Sequence, residues 1–262
     1  MQQRHLDRQI YFNELANTTR EFYIPYLKTF CEVTGKSRVL EIGCGEGGNL
    51  LPFAELGCRV TGIDCAATRI KQARAFFKKE GCTAEFISID FFDFVPIGQD
   101  KYDIILVHDV IEHIERDRKR DFVAEIKKVL AAEGVVFWGF PAWQMPFGGH
   151  QQICKSRVCS KLPYIHLLPR RFYKFMLQSF GEDSSCVSEL THIKSCGISI
   201  ESFEKMAHDN GYCIVNRLLW FINPHYKQKF NMKPRKLNKT FAKIYYLRNF
   251  LSTSCFYVTR AQ

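Results

Sequence analysis

Apolar positions along the chain switch repeatedly between a helical period and a strand period. From residue 5 to 33 they recur at helical spacing, with Leu6, Ile10 and Leu15 followed by Phe22, Tyr26 and Phe30, and predict one or two amphipathic helices. Short apolar runs then predict strands at 38–42 (RVLEI), 59–63 (RVTGI), 84–89 (AEFISI), 102–107 (YDIILV) and 134–140 (GVVFWGF). Between them, helices are predicted at 47–57, 66–80 and 117–132, the last with Phe122, Ile126, Val129 and Leu130 on one face. Gly57, Gly81 and Gly134 fall at predicted helix ends, where a left-handed cap is common. Strand and helix alternating in this order predict an α/β fold, a doubly wound and mostly parallel sheet.

After Pro141 the alternation stops. Residues 141–190 are rich in Pro, Gly, His, aromatic and basic residues, and a connection this long inside a compact domain is usually functional or partly helical. A helix at 199–210, a strand at 212–222, a basic helical stretch and a last strand at 255–260 follow. The expected organisation is one domain over 1–262: an N-terminal helical cap (1–35), a cofactor-binding core (36–140), a lid-like insertion after strand 5 (141–198), and a C-terminal helix with edge strands (199–262).

At 262 residues, 46% hydrophobic and 24% charged, the chain can bury a full core. No stretch approaches the roughly 18 to 20 apolar residues that span a bilayer, and the polar first residues lack a signal-peptide core, so a cytoplasmic location is expected. The 11 cysteines include no Cys-x-x-Cys pair; they read as reduced, buried side chains, and their spacing does not predict zinc. Basic residues exceed acidic ones, 37 to 27, for a formal charge of +10. Lys227, Lys229, Lys233, Arg235, Lys236, Lys239, Lys243 and Arg248 form a run without one acid. A solvated helical face is the first reading of that run, and nucleic acid or an anionic surface the second.

The sharpest chemistry lies in VLEIGCGEGGNL, residues 39–50. A buried strand ends near Glu41, and Gly43, Gly45 and Gly47 then let the backbone turn tightly and a ligand approach without Cβ collisions. Cys44 lies inside that turn. Asp64, followed by Cys65, closes the second strand, where a carboxylate can accept both hydroxyls of a ribose. Asp90 closes the third, where it can accept an adenine's exocyclic amine, and Phe91 beside it offers a backbone amide and a ring edge. His108 and Asp109 end the fourth. Gly43, Gly45 and Gly48 also satisfy the dinucleotide fingerprint Gly-x-Gly-x-x-Gly, so the turn alone fits nicotinamide cofactors as well as S-adenosylmethionine. Glu41, the Asp90–Phe91 pair and the two late strands favour the latter.

With these residues in place, the chain resembles the class I S-adenosylmethionine-dependent methyltransferases over 36–140 and 199–260. Glu41-x-Gly43-x-Gly45-x-Gly47 is similar to their first motif, Asp64 to their ribose-binding acid and Asp90 to their adenine-side acid. The resemblance implies a seven-stranded sheet in the order 3-2-1-4-5-7-6 with strand 7 antiparallel, and methyl transfer from the sulfonium to a nucleophile.

HDVIEHI, residues 108–114, resembles the Glu-Val-x-Glu-His pattern of ubiquinone-pathway O-methyltransferases and plant-type small-RNA 2′-O-methyltransferases. There the acids and histidine hold a metal, which implies Asp109, Glu112 and His113 here, with Mg²⁺ as the candidate ion and His150 or His192 as a fourth ligand. Asp109 is one methylene shorter than the pattern's glutamate. A metal-free base at His113 or His150, and purely structural histidines, are the alternatives. Trp138, Trp143, Met145, Phe147, Tyr164 and His166 are the expected acceptor wall. The reading is a small-molecule methyltransferase acting on oxygen; an RNA methyltransferase, a nicotinamide-dependent oxidoreductase and a non-catalytic cofactor-binding regulator are its rivals.

Overall fold

The computed structural model describes residues 7–95 and 101–262; Leu6 of the expected first helix lies outside the described residues. The carboxylate of Asp7 accepts the backbone N–H groups of Gln9 and Ile10 and so starts α1 (Arg8–Thr18), which buries Phe12, Leu15 and Ala16. One turn of π-helix, Thr19–Tyr23, carries the chain without a break into α2 (Ile24–Leu27).

The core follows the predicted alternation: β1 (Arg38–Ile42), α3 (Leu51–Glu55), β2 (Arg59–Asp64), α4 (Ala67–Lys79), β3 (Glu85–Ser88), β4 (Tyr102–His108), α5 (Lys119–Val129) and β5 (Leu130–Phe140). Beyond the insertion come α8 (Ile200–Asp209), β6 (Tyr212–Ile222), α9 (His225–Phe230), β7 (Arg235–Lys236), α10 (Leu247–Leu251) and β8 (Ser254–Ala261). Among the described residues the sheet has eight strands in the order β3-β2-β1-β4-β5-β8-β6-β7. β1 to β5 pair in parallel, and β8 runs antiparallel to both β5 and β6. This is the expected 3-2-1-4-5-7-6 order with one addition, the two-residue strand β7 on the outer edge. The parallel strands are apolar on both sides because both faces are covered: Leu40, Ile105 and Trp138 face one core, and Val39, Ile104 and Phe137 the other.

Three local expectations are corrected. The helix expected at 47–57 shrinks to α3, because positive φ at Gly47 holds its residues in the turn. Gly134 caps no helix: α5 stops at Val129 and Leu130 already begins β5, so Gly134 sits inside the strand, whereas Gly57 and Gly81 do take positive φ at helix ends. The basic run is not one helical face. Lys227 pairs with Glu21 at 2.6 Å and buried Arg248 pairs with Glu201 and Glu204, each at 2.8 Å; Arg235 and Lys236 form β7.

The insertion has its own architecture. Short 3₁₀ turns at Gln151–Ile153, Cys159–Lys161 and Ile165–Leu167 lead into α6 (Arg170–Ser179) and α7 (Ser184–Cys196). Cys154, Cys159, Ile165, Tyr173, Leu177, Val187, Leu190 and Ile193 form a small core apart from the two that flank the sheet. Among the described residues no helix is long and apolar enough to cross a membrane.

Candidate functional site

The glycine turn after β1 is built for close approach. Gly43, Gly45 and Gly47 have φ of +70°, +53° and +81°. A Cβ on Gly47 would stand 2.8 Å from the ring of Phe86, in a backbone region that L-residues rarely occupy. Strain and overpacking therefore add, and Gly47→Ala is expected to cost about 2 to 4 kcal/mol, read as a lowered midpoint in urea unfolding.

Asp64 ties this turn to the next one. Its Oδ2 accepts the Gly45 N–H at 2.9 Å and its Oδ1 the Ala66 N–H at 2.8 Å, and the side chain is buried. Glu41 is buried beneath the turn, where its Oε1 accepts Asn49 Nδ2 at 2.7 Å and Thr19 Oγ1 donates to Asn49 Oδ1 at 2.9 Å. Its other oxygen meets no donor, and burial pushes its pKa up to about 8. An unfolded glutamate releases its proton near 4.5, so between about 4.5 and 8 the unfolded chain binds fewer protons and this group's contribution falls as pH rises. Glu41→Gln is expected to flatten that part of the profile and raise the melting temperature at pH 8 more than at pH 5, checked by thermal unfolding without ligand.

The N-terminal helices lie over this turn, with Arg8 ion-paired to Glu46 and Phe12 close enough to leave no room for a Cβ on Gly48. Asn49, Thr19, Arg8 and Tyr23 escaped the sequence reading; Asn49, directly after the glycines, was the available signal. Asp90 is exposed at the end of β3, with Oδ1 accepting Phe92 N–H at 3.0 Å. Phe91 does not present its ring there; it packs inward on Phe122 at 5.2 Å. Cys44 is buried against Gly62, and Cys65 is exposed after β2. The buried His108 is held by the protein itself, Nε2 at 2.7 Å from the Tyr23 hydroxyl and Nδ1 at 3.4 Å from Asp109.

Beyond β4 the chain makes the turn that Glu112 and His113 require in order to converge. His113 N–H donates to Val110 O at 2.9 Å, and the buried Lys119 ammonium donates to the carbonyls of Ile111 and Ile114. Burial lowers the Lys119 pKa to about 8. Glu112 is buried with neither carboxylate oxygen bonded to another residue, and burial, then the nearby Asp109 charge, push its pKa well up. The His150 ring meets that of His113 edge-on at 4.8 Å. One ligand atom each from Glu112, His113 and His150 lie within 4.8 Å of one another.

Asp109 is not in that group. Its backbone is left-handed (φ +53°) and its half-open carboxylate turns toward His108. His192 is elsewhere too, on α7, with Nε2 at 3.6 Å from the Cys196 thiol. The expected trio Asp109–Glu112–His113 thus becomes Glu112–His113–His150. Burial first, then neighbouring positive groups, lower the pKa of both His113 and His150 to about 4. His113 is exposed and His150 partly so.

The expected acceptor wall divides. Trp138 is fully buried in the sheet core, its indole donating to Thr259 Oγ1 at 2.9 Å, and is no wall. His166 is buried as well, with Nε2 at 2.8 Å from Trp143 O, and Met145 packs inside, while Phe147 is partly and Tyr164 openly exposed. Trp143 lines a cavity of about 500 Å³ with Arg116, Lys119, Arg120 and Lys205; that cavity shares Lys119 with the Glu112 loop but takes in no part of the glycine turn.

Comparison with known proteins agrees with this geometry. Residues 39–134 match a family described as a methyltransferase domain. Over that segment the chain is similar to a methyltransferase domain, which favours the S-adenosylmethionine reading of the glycine turn over the nicotinamide one. It is 32% identical over 127 residues to the ubiquinone biosynthesis O-methyltransferase of Bartonella quintana, covering 45% of this chain and 49% of that one. It is 26% identical over 148 residues to the Histophilus somni protein of the same name, covering 53% and 60%. The chain thus spans about half the length of the curated relatives it matches. An S-adenosylmethionine-dependent methyltransferase from Clostridium acetobutylicum shares the fold at a TM-score of 0.58 and 10% identity, over 95% of this chain and 92% of that one. Magnesium protoporphyrin IX methyltransferase from Synechocystis, solved with bound S-adenosylhomocysteine, does so at 0.55 and 13%, over 95% and 84%.

Proposed function

We propose that this protein transfers the methyl group of S-adenosylmethionine to an oxygen of a small-molecule acceptor, with the Glu112–His113–His150 cluster at the acceptor end. The observation that carries the reading is a buried carboxylate without a partner beside two imidazoles, on the loop after the strand adjoining the glycine turn. The matched relatives' names, which specify O-methylation, support an oxygen acceptor. In this reading the glycine turn and Asp64 hold the methionine and ribose portions of the cofactor, Asp90 faces the adenine, and the insertion is the lid.

The cluster suits metal binding better than base catalysis. An imidazole whose pKa has fallen to about 4 is neutral at physiological pH and offers a lone pair, yet it is a poor acceptor for a hydroxyl proton. Two imidazoles and one carboxylate match a divalent transition ion rather than Mg²⁺, which favours an all-oxygen set. When bound, such an ion supplies Lewis-acid polarisation of the acceptor oxygen. Glu112 and His113 keep their places because Lys119 holds the loop carbonyls, and His150 is delivered from the insertion. S-adenosylhomocysteine is expected to raise the melting temperature, by about 2.7 kcal/mol of stabilisation at a hundred times Kd, and NAD and NADP to leave it unchanged. A shift with NAD and none with S-adenosylhomocysteine contradicts the assignment. Methyl transfer from labelled S-adenosylmethionine to a panel of hydroxyl-bearing compounds tests the acceptor class.

A further inference from the structure

We propose that the insertion holds a structural zinc site, in which Cys154, Cys159, Glu182 and Cys186 enclose one ion. The thiols of Cys154 and Cys159 and a carboxylate oxygen of Glu182 lie within 4.8 Å of one another, and all three residues are buried (8%, 0% and 7% exposed). Cys186 is not in that group; it interacts with Glu182 and Cys154 from the start of α7 and is the candidate fourth ligand. The four come from two places in the chain: Cys154 and Cys159 flank the short loop between two 3₁₀ turns, while Glu182 precedes α7 and Cys186 lies in its first turn. The pattern is Cys-x₄-Cys followed by Glu-x₃-Cys. Two pairs of closely spaced ligands meeting in space is how structural zinc sites are usually assembled. A search for cysteine pairs alone misses it, because one of the four ligands is a glutamate.

The surroundings are those of a cation site. Both Glu182 oxygens accept backbone N–H groups, from Lys155 and Ser156 at 2.9 Å each, which fixes the direction of the carboxylate as an outer shell fixes a ligand. Among the described residues no basic side chain pairs with Glu182, since neighbouring Lys155 goes to Asp183 at 2.5 Å. A buried carboxylate without a positive side chain is costly unless a cation stands nearby. Burial pushes the Cys186 thiol up to about 11 and raises those of Cys154 and Cys159, so without an ion all three are protonated hydrophobes. A soft divalent ion displaces those protons as it binds, and thiolates select zinc over Mg²⁺ or Ca²⁺. Four protein ligands leave no open position, so the role is structural. It also answers a need: the insertion's core is small, and small cores commonly require a staple. The ion would join the loop after His150 to the start of α7.

The test is metal analysis of the whole protein, purified reduced and without a metal affinity step, then offered zinc and desalted. Beyond any zinc held at the Glu112 cluster, about one zinc per chain is expected that is lost in Cys154→Ser and Cys159→Ser and retained in Glu112→Gln, which touches only the other cluster. Cobalt substitution of the unaltered protein gives an answer even if the variants fail to fold. An intense near-ultraviolet thiolate-to-cobalt band supports the site, and a spectrum of oxygen and nitrogen ligands alone overturns it. Absence of bound zinc, zinc retained in both cysteine variants but lost in Glu112→Gln, or a Cys154–Cys159 disulfide in the purified protein each overturns it too.

Discussion

Asp64→Ala is expected to weaken S-adenosylhomocysteine binding by about 10- to 100-fold and to lower stability as well. Two effects combine. The ribose hydroxyls lose a charged acceptor, and the backbone amides of Gly45 and Ala66 lose the oxygens they donate to at 2.9 and 2.8 Å. Each buried amide left without an acceptor costs about 1 to 3 kcal/mol. Asp64→Asn separates the two, because its remaining carbonyl oxygen still serves one amide while the charge is gone. Its stability should lie between those of the parent and the alanine variant, with most of the affinity loss already present. Titration calorimetry beside urea unfolding reads both, and unchanged affinity in folded Asp64→Ala would mean that the ribose lies elsewhere.

Glu112→Gln is expected to lose at least about 100-fold in turnover while S-adenosylhomocysteine affinity stays within about 3-fold. The carboxylate is already deprived of partners, so the amide disturbs no bond to another residue in the unliganded protein. Only a task carried out when acceptor or ion is present can make the exchange harmful. Chelator should reproduce the loss in the parent protein, and Mn²⁺ or Zn²⁺ should restore it there but not in the variant. A variant that turns over normally would return Glu112 to a packing role.

The sheet was legible from its apolar runs: RVLEI and YCIVNRLLWFI match the buried β1 and the half-exposed β6 to the residue. Helix ends were less so, for physical reasons. Leu130 fits the apolar face of α5 as well as it fits β5, and periodicity cannot assign a residue that suits both. β7 is two exposed basic residues, with nothing apolar to reveal it. At the site, spacing marked Asp64 beside the glycine turn, where its carboxylate accepts the Gly45 N–H. His150 entered only as a possible fourth ligand, because what delivers it is the fold of the insertion: it follows two glycines packed against Trp143 and His166 and has a left-handed backbone. Asp109 falls outside the Glu112–His113–His150 group because a motif reports the order of residues and not the direction a left-handed backbone gives them.

The π turn at Thr19–Tyr23 works as a gearing device. A regular helix advances about 100° per residue, so side chains at its two ends keep a fixed angular relation. One widened turn shifts that relation, and from the same rod Thr19 meets Asn49 under the glycine turn while Tyr23 meets His108 at the end of β4. Such turns amount to a single-residue insertion into an ordinary helix. Deleting one residue there would swing everything beyond it by about 100°, leaving the helix in step with one strand end and out of step with the other. Length, more than side-chain identity, is what this segment has to preserve.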